Sequence, residues 1–292
     1  MVGYDIIGVV AAVSGTFMTA TGNIYLRKSA LLKETDMPIL QRSYWLFGTF
    51  MLVVPLTALN TVALALAPLS LLAPCAALTT VWSVWLVSCG CLGIFEEITR
   101  QDVASTLLVA VGIALVTSSR GDGMGAASVH SLTRHIASPY FLSAWVVTVA
   151  CGSSIRFVKH LLSKRVAFIS TALFAAACAA CSQSFLKFMA NGGAAYIRGE
   201  HVNVRILFLA LIGLSTSPPL NLYLLGETIA SGTVVVAVGT YEALVIVLTA
   251  GWGIFFFDEL AAYGPVPILV LISGLLLTLV GVVVRYSPEA RC

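Results

Sequence analysis

The chain has 292 residues, of which 59% are hydrophobic and only 10% charged, and its mean hydropathy is +0.98. A soluble domain carries about 25% charged residues, so this composition excludes a water-facing surface for most of the chain and points to a bilayer as its solvent. The formal charge is only +3 and no basic block accompanies it, which argues against a nucleic-acid partner.

Apolar runs of about 20 residues, the length of a membrane-spanning helix, recur along the whole chain. In order they are Ile6–Leu26, Tyr44–Leu66, Leu71–Leu92, Val103–Ser118, Pro139–Ser154, Ala167–Met189, Ile206–Leu225, Ser231–Phe256 and Gly264–Val284. The runs are continuous rather than short and alternating, so they read as helices and not as barrel strands. The first begins "MVGYDIIGVV", with Asp5 in place of a basic n-region, and so reads as a span rather than a cleaved signal. The expectation is an all-α membrane protein with nine transmembrane helices in one polytopic domain, residues 1–292.

Sorting the 16 Lys and Arg between the two sides of nine crossings gives eleven on one side and five on the other. The richer side holds Arg27, Lys28, Lys33, Arg42, Arg100, Arg156, Lys159, Lys164, Arg165, Arg285 and Arg291. The positive-inside rule then places the N-terminus outside and the C-terminus in the cytosol, in a plasma or endosomal membrane. Six of the seven cysteines lie in apolar runs, where Cys packs as a small hydrophobe, and no His accompanies "CAAC" or "CGC" to suggest a metal site.

The sequence also repeats itself. "LNTVALALAP" from Leu59 aligns with "LNLYLLGETI" from Leu220, and "CGCLGIFEE" aligns with "TAGWGIFFFDE". Gly112 in "LLVAVGIALV" falls against Gly281 in "LLTLVGVVV", and the helix carrying Asn23 and Arg27 falls against the one carrying Gln183 and Lys187. Helices one to four (residues 6–118) thus recur as six to nine (167–284), joined by a central helix at 139–154. Five crossings separate each pair, so the copies are inverted, an arrangement that builds secondary transporters with a midplane site between copies. Each copy carries proline shortly before an asparagine, Pro55 before Asn60 and Pro218–Pro219 before Asn221, where freed carbonyls must find partners or line a cavity.

At these residues the chain resembles the NIPA-type magnesium transporter family, within the EamA/drug-metabolite-transporter-like superfamily. The resemblance rests on "IIGVVAAVSGTFMTATGNIYLRKSALLK", "LNTVALALAPLSLLAPCAALTTVWS", "FEEITRQD", "CSQSFLKF" and the Asn221 helix, and spreads over about Ile6 to Val284. It implies a carrier for divalent cations, chiefly Mg²⁺, as transported substrate, with no resident cofactor. Glu242 stands where the family has a second tyrosine, after the retained Tyr241.

Glu242 is the one charge in the run Ser231–Phe256, and it lies near the middle of that run. A carboxylate there is costly unless paired, hydrated or protonated. Three readings follow. It binds a hard cation, which takes one or two carboxylates plus carbonyl and water oxygens; it carries a coupling proton; or it is a neutral interhelical hydrogen-bond donor. At helical spacing it shares a face with Gly239, Thr249 and Gly253. Candidate substrate-binding residues are Glu242, Tyr241, Asn221, Asn60 and Asn23, with Glu242 and Asn221 as metal ligands. Glu97 and Glu259 end helices three and eight, Glu227 falls in a turn that caps or solvates helix eight, and Arg27 and Lys187 snorkel to the interface.

The leading expectation is a secondary carrier of Mg²⁺ or a related divalent cation, working by alternating access. A small-metabolite permease is the alternative. An intramembrane enzyme or receptor lacks candidate residues, because no HExxH, nucleophile elbow or phosphate-binding loop is present. The oligomeric state is not legible.

Overall fold

The computed structural model describes residues 2–34, 37–38, 41–66, 78–90, 92–96, 98–118, 136–197, 204–257 and 265–286. Among these the chain is all-helical. The elements are α1 (Val2–Leu31), α2 (Ser43–Leu66), α3 (Leu78–Cys89), α4 (Arg100–Ser118), α5 (Pro139–Val158), a 3₁₀ turn (Lys159–Leu161), α6 (Lys164–Ile197), α7 (Val204–Ser231), α8 (Val234–Phe257) and α9 (Pro265–Tyr286). Four stretches are long and apolar enough to cross a membrane: Lys164–Leu186, Val204–Ser231, Val234–Trp252 and Pro265–Val282. Shorter apolar helices occupy Ser43–Leu59, Leu78–Cys89 and Pro139–Ile155.

Large apolar side chains cover the outward faces, among them Phe50, Val54, Phe208, Leu211 and Leu276. In water so much exposed apolar surface would drive association, whereas acyl chains accept it without cost. Helix α9 shows this arrangement of large residues outside and small ones inside. Its large residues Val266, Leu269, Ile272, Leu276 and Val280 face outward, and its small residues Gly274, Thr278 and Gly281 are buried. This is an integral membrane protein built of helices.

The chain falls into two compact units. The first takes in α1 to α4, the segment Gly226–Ala243 that ends α7 and starts α8, and α9; the second takes in α5, α6, the rest of α7 and the rest of α8.

Within the first unit, close packing depends on glycine. A Cβ on Gly22 would sit 3.0 Å from the Gly48 carbonyl, and one on Gly48 would sit 2.9 Å from the Gly22 carbonyl, so α1 and α2 meet backbone to backbone. They run antiparallel, since Tyr25 stacks on Tyr44 while Gly22 meets Leu52. Helices α4 and α9 do the same. A Cβ on Gly112 would lie 2.8 Å from the Gly274 carbonyl, and the reverse contact is also 2.8 Å. Gly281 in turn faces Val109 and Ser105. Position numbers fall along α9 as they rise along α4, which makes this pair antiparallel too. By contrast α1 and α3 run in the same direction, with Phe17 edge-on to Trp82 and Lys28 reaching the Leu92 carbonyl.

The helix ends are satisfied locally. Thr99 and Asp102 form a reciprocal cap on α4: the Thr99 amide and hydroxyl donate to Asp102 Oδ2 at 3.0 and 2.6 Å, and the Asp102 amide donates to Thr99 Oγ1 at 3.2 Å. Helix α3 closes on Gly90, whose φ of 63° suits the left-handed closing residue. Helix α2 is capped from outside by Glu34, 5% exposed, whose carboxylate accepts from the Tyr44 and Trp45 amides at 3.2 and 3.1 Å. These are orphan donors of the first turn, at the positive end of the helix dipole. Glu34→Ala is expected to cost about 1–2 kcal/mol, the value of a helix cap, and to lower the melting temperature of the purified protein. An unchanged melt would show that solvent caps α2 equally well.

In the second unit α5 packs on α6. Phe141, Phe185, Trp145 and Trp252 form an edge-to-face aromatic cluster with centroids 5.3 Å apart. Trp145 Nε1 donates to Ser217 Oγ at 3.0 Å, just before the proline pair.

Several boundaries differ from the hydropathy reading. The prolines lie inside unbroken helices, Pro55 in α2 and Pro218–Pro219 in α7. Helix α7 runs to Ser231, so Ser231 ends it rather than opening α8. Helix α6 continues past Met189 to Ile197, through Asn191 and the Gly192–Gly193 pair, against their low intrinsic helix preference.

Candidate functional site

Helix α8 is enclosed on all sides over its first half. Val234, Val235, Ala237, Val238, Thr240, Tyr241 and Ala243 are all buried, covering every direction around the helix. A helix apolar all round belongs in the interior of a bundle. Glu242 is the ninth residue of the span Val234–Trp252, one place short of its centre, and it is half-buried between buried neighbours. At 1.5 Å per residue it stands about 12 Å from the start of α8.

At that start a charged cluster joins three parts of the first unit. Arg27, from the last turns of α1, donates through Nη1 to the carbonyls of Ile229 and Ala230 at 3.0 and 2.8 Å. Its Nε lies 3.4 Å from Glu96 Oε1, and Glu96 Oε2 accepts from the Val234 amide at 2.8 Å. The cation thus covers the carbonyl end of α7 and the carboxylate covers the amide end of α8, each sign matching the dipole it meets. Both side chains are largely buried, at 15% and 11% exposed. Burial pushes the Glu96 carboxyl above the ordinary carboxylate range, against the pull of the Val234 amide and the Arg27 charge. Beside this cluster Lys28 donates to the Leu92 carbonyl at 3.1 Å and lies 4.8 Å over the Tyr44 ring. At the same end Gln101, in the first turn of α4, donates to the Val284 carbonyl near the end of α9.

One turn from Arg27, on the same face of α1, Asn23 is fully buried, and neither its amide nitrogen nor its oxygen has a hydrogen-bond partner. A buried primary amide without partners costs several kcal/mol unless water or a ligand satisfies it. Tyr241, beside Glu242, is buried. Asn221 is half-buried in α7, two residues past Pro219, and belongs to the second unit. Asn60 lies in α2, with its side chain outside the described residues. Asn23, Tyr241 and Glu242 therefore share the first unit. In the second unit Gln183, aligned in sequence with Asn23, accepts from Thr249 Oγ1 at 3.3 Å.

Sequence reasoning passed over Glu96 for its neighbour Glu97, which lies outside the described residues, as does Glu259. The available signal was Arg27 itself, a cation on the face of an otherwise apolar helix that also carries Asn23. Arg27 does not snorkel outward; backbone carbonyls and Glu96 hold it within the protein. Glu227 lies inside α7 rather than in a turn, and the carboxylate that meets the start of α8 is Glu96. Comparison with protein-family models, curated proteins and solved structures found no match for the chain.

Proposed function

We propose that the protein is a secondary carrier moving Mg²⁺ or a related divalent cation by alternating access, in the manner of the NIPA-type transporters its sequence resembles. The observation that carries this reading is Glu242: a half-buried carboxylate near the centre of an apolar span, on a stretch of α8 whose neighbouring side chains are buried. Such a carboxylate defaults to function, because an interior helix without a task would place an apolar residue there. Tyr241 and the unpartnered Asn23 amide supply further oxygens in the same unit.

Two observations favour the nine-helix, inverted-repeat architecture of the drug/metabolite superfamily. Setting Gly112 equivalent to Gly281 shifts positions by 169 (281 minus 112), which places Ser105 on Gly274 and Val109 on Thr278. The contacts obey the same exchange, since Gly112 meets Gly274 and Thr278 while Gly281 meets Ser105 and Val109. The antiparallel pairing of α4 with α9 gives this reciprocity, as an inverted repeat requires. Second, the ends of α1, α7 and α9, the α3–α4 link and the starts of α4 and α8 gather at one end of the first unit, as the alternating crossings require. With the positive-inside rule this end is cytosolic. Impermeant reagents should therefore label a cysteine at Ser163, beside Lys164 and Arg165, only after the cell membrane is opened; labelling in intact cells would reverse the topology.

Among the described residues no three His, Cys, Asp or Glu side chains converge. Glu242 suits Mg²⁺, which keeps several waters and takes one or two carboxylates. It equally suits a proton-coupled metabolite permease, the second reading. Purified protein melted against rising MgCl₂, with NaCl of matched ionic strength as control, separates them. A cation that binds the native state raises the melting temperature saturably. Equal melts in both salts would favour the permease.

A further inference from the structure

We propose that the Arg27–Glu96 ion pair is the gate at this end of the first unit, holding the α7–α8 turn against α1, and that its opening exposes the face of α1 carrying Asn23 and Ala20. The inference rests on the carrier reading and goes beyond it by naming the contact that must break. The geometry is a clamp with two jaws. Arg27 holds the last carbonyls of α7, Glu96 holds the first amide of α8, and only Gly232 and Thr233 separate the two helices. A turn this short moves as one piece, so both jaws release together.

The clamp is also built to open. Arg27 Nε and Glu96 Oε1 approach at 3.4 Å, yet neither atom completes a hydrogen bond. A contact held by charge without full hydrogen bonding gives up less when water replaces it. Behind the clamp, the Asn23 amide has no partner in the closed arrangement. Water or a hydrated cation entering past an opened pair would satisfy it.

The test uses the full-length chain in proteoliposomes, with native cysteines replaced and Ala20→Cys introduced. Ala20 is fully buried and lies seven residues before Arg27, on the same face. A membrane-impermeant maleimide is applied from each side. Glu96→Gln and Arg27→Gln should each speed labelling by about ten-fold, the population shift expected for losing a partly buried charged contact. The gain should appear only from the side that bears the C-terminus. A cysteine at Ala175, equally buried in α6, should keep its slow rate. A role in stability alone would lower the melting temperature without this sidedness. An unchanged rate at Ala20→Cys, or acceleration from both sides or at Ala175, would overturn the gate. Should Glu96→Gln not accumulate, Glu96→Asp, one methylene short of Arg27, is read in the same way. Labelling needs no transported ion, so a chain that opens as described but moves no Mg²⁺ would keep the gate and reject the cation.

Discussion

Glu242→Gln is expected to reduce divalent-cation uptake roughly 10- to 100-fold or more, because loss even of a residue supporting a metal ligand costs that much, and a direct charged ligand contributes at least as much. Glutamine keeps the length and hydrogen-bonding groups of the side chain and removes only the charge. The two side chains are nearly equal in volume, so among the buried neighbours on α8 the substitution leaves packing intact and the melt in metal-free buffer should stay near that of the parent. The Mg²⁺-dependent rise in melting temperature should vanish with the uptake. A Gln variant that transports normally would make Glu242 an interhelical hydrogen-bond donor and remove the cation from its surroundings. Glu242→Asp draws the carboxylate back by one methylene and should weaken transport less than Gln.

Gly112→Val and Gly274→Val are expected to be the most destabilising single changes on the α4–α9 seam. A Cβ at either position meets the opposite backbone carbonyl at 2.8 Å, and at Gly112 it also meets the Thr278 amide at 2.7 Å. Backbone atoms cannot rotate aside as a side chain does, so the helices must separate. Overpacking costs about 1–3 kcal/mol where side chains can adjust, and the rigid contact places these variants at or above the upper end. Gly226→Ala and Gly251→Ala form the control. Neither position has an atom within 4 Å of an added Cβ, and alanine in a helix interior gains about 0.5–1 kcal/mol over glycine. Melts of the four variants should split into two pairs, and a Gly112→Val protein as stable as Gly226→Ala would remove close packing as the basis of the seam.

Much of the fold was legible because in a bilayer the helix pattern reduces to counting apolar residues. Each of the nine apolar runs overlaps one of the nine α-helices found among the described residues, and the alignment of Gly112 with Gly281 falls on the seam where α4 and α9 pack. Helix ends were less legible, since hydropathy registers where lipid stops and not where hydrogen bonding stops. Helix α6 runs on through Ile197 for this reason, and α7 holds Glu227 inside its last turns. Prolines mark a change of chemistry rather than a break, and neighbouring turns carry the helix through Pro55 and Pro218–Pro219. Glu242 was legible from its isolation in an apolar run. The Arg27–Glu96 contact was not, because it joins residues 69 positions apart (96 minus 27) and the Val234 amide 138 positions further on. A backbone amide and two backbone carbonyls carry no sequence signature, yet here they decide where both charges sit.

Mg²⁺ entry into proteoliposomes made from the purified full-length chain, followed with an entrapped Mg²⁺-sensitive dye, tests the carrier most directly. The expected result is saturable entry above that of protein-free vesicles, reduced by Mn²⁺ or Co²⁺ outside and lost in the Glu242→Gln protein. Entry no faster than in protein-free vesicles, while the same preparation accumulates a labelled organic metabolite, would contradict it.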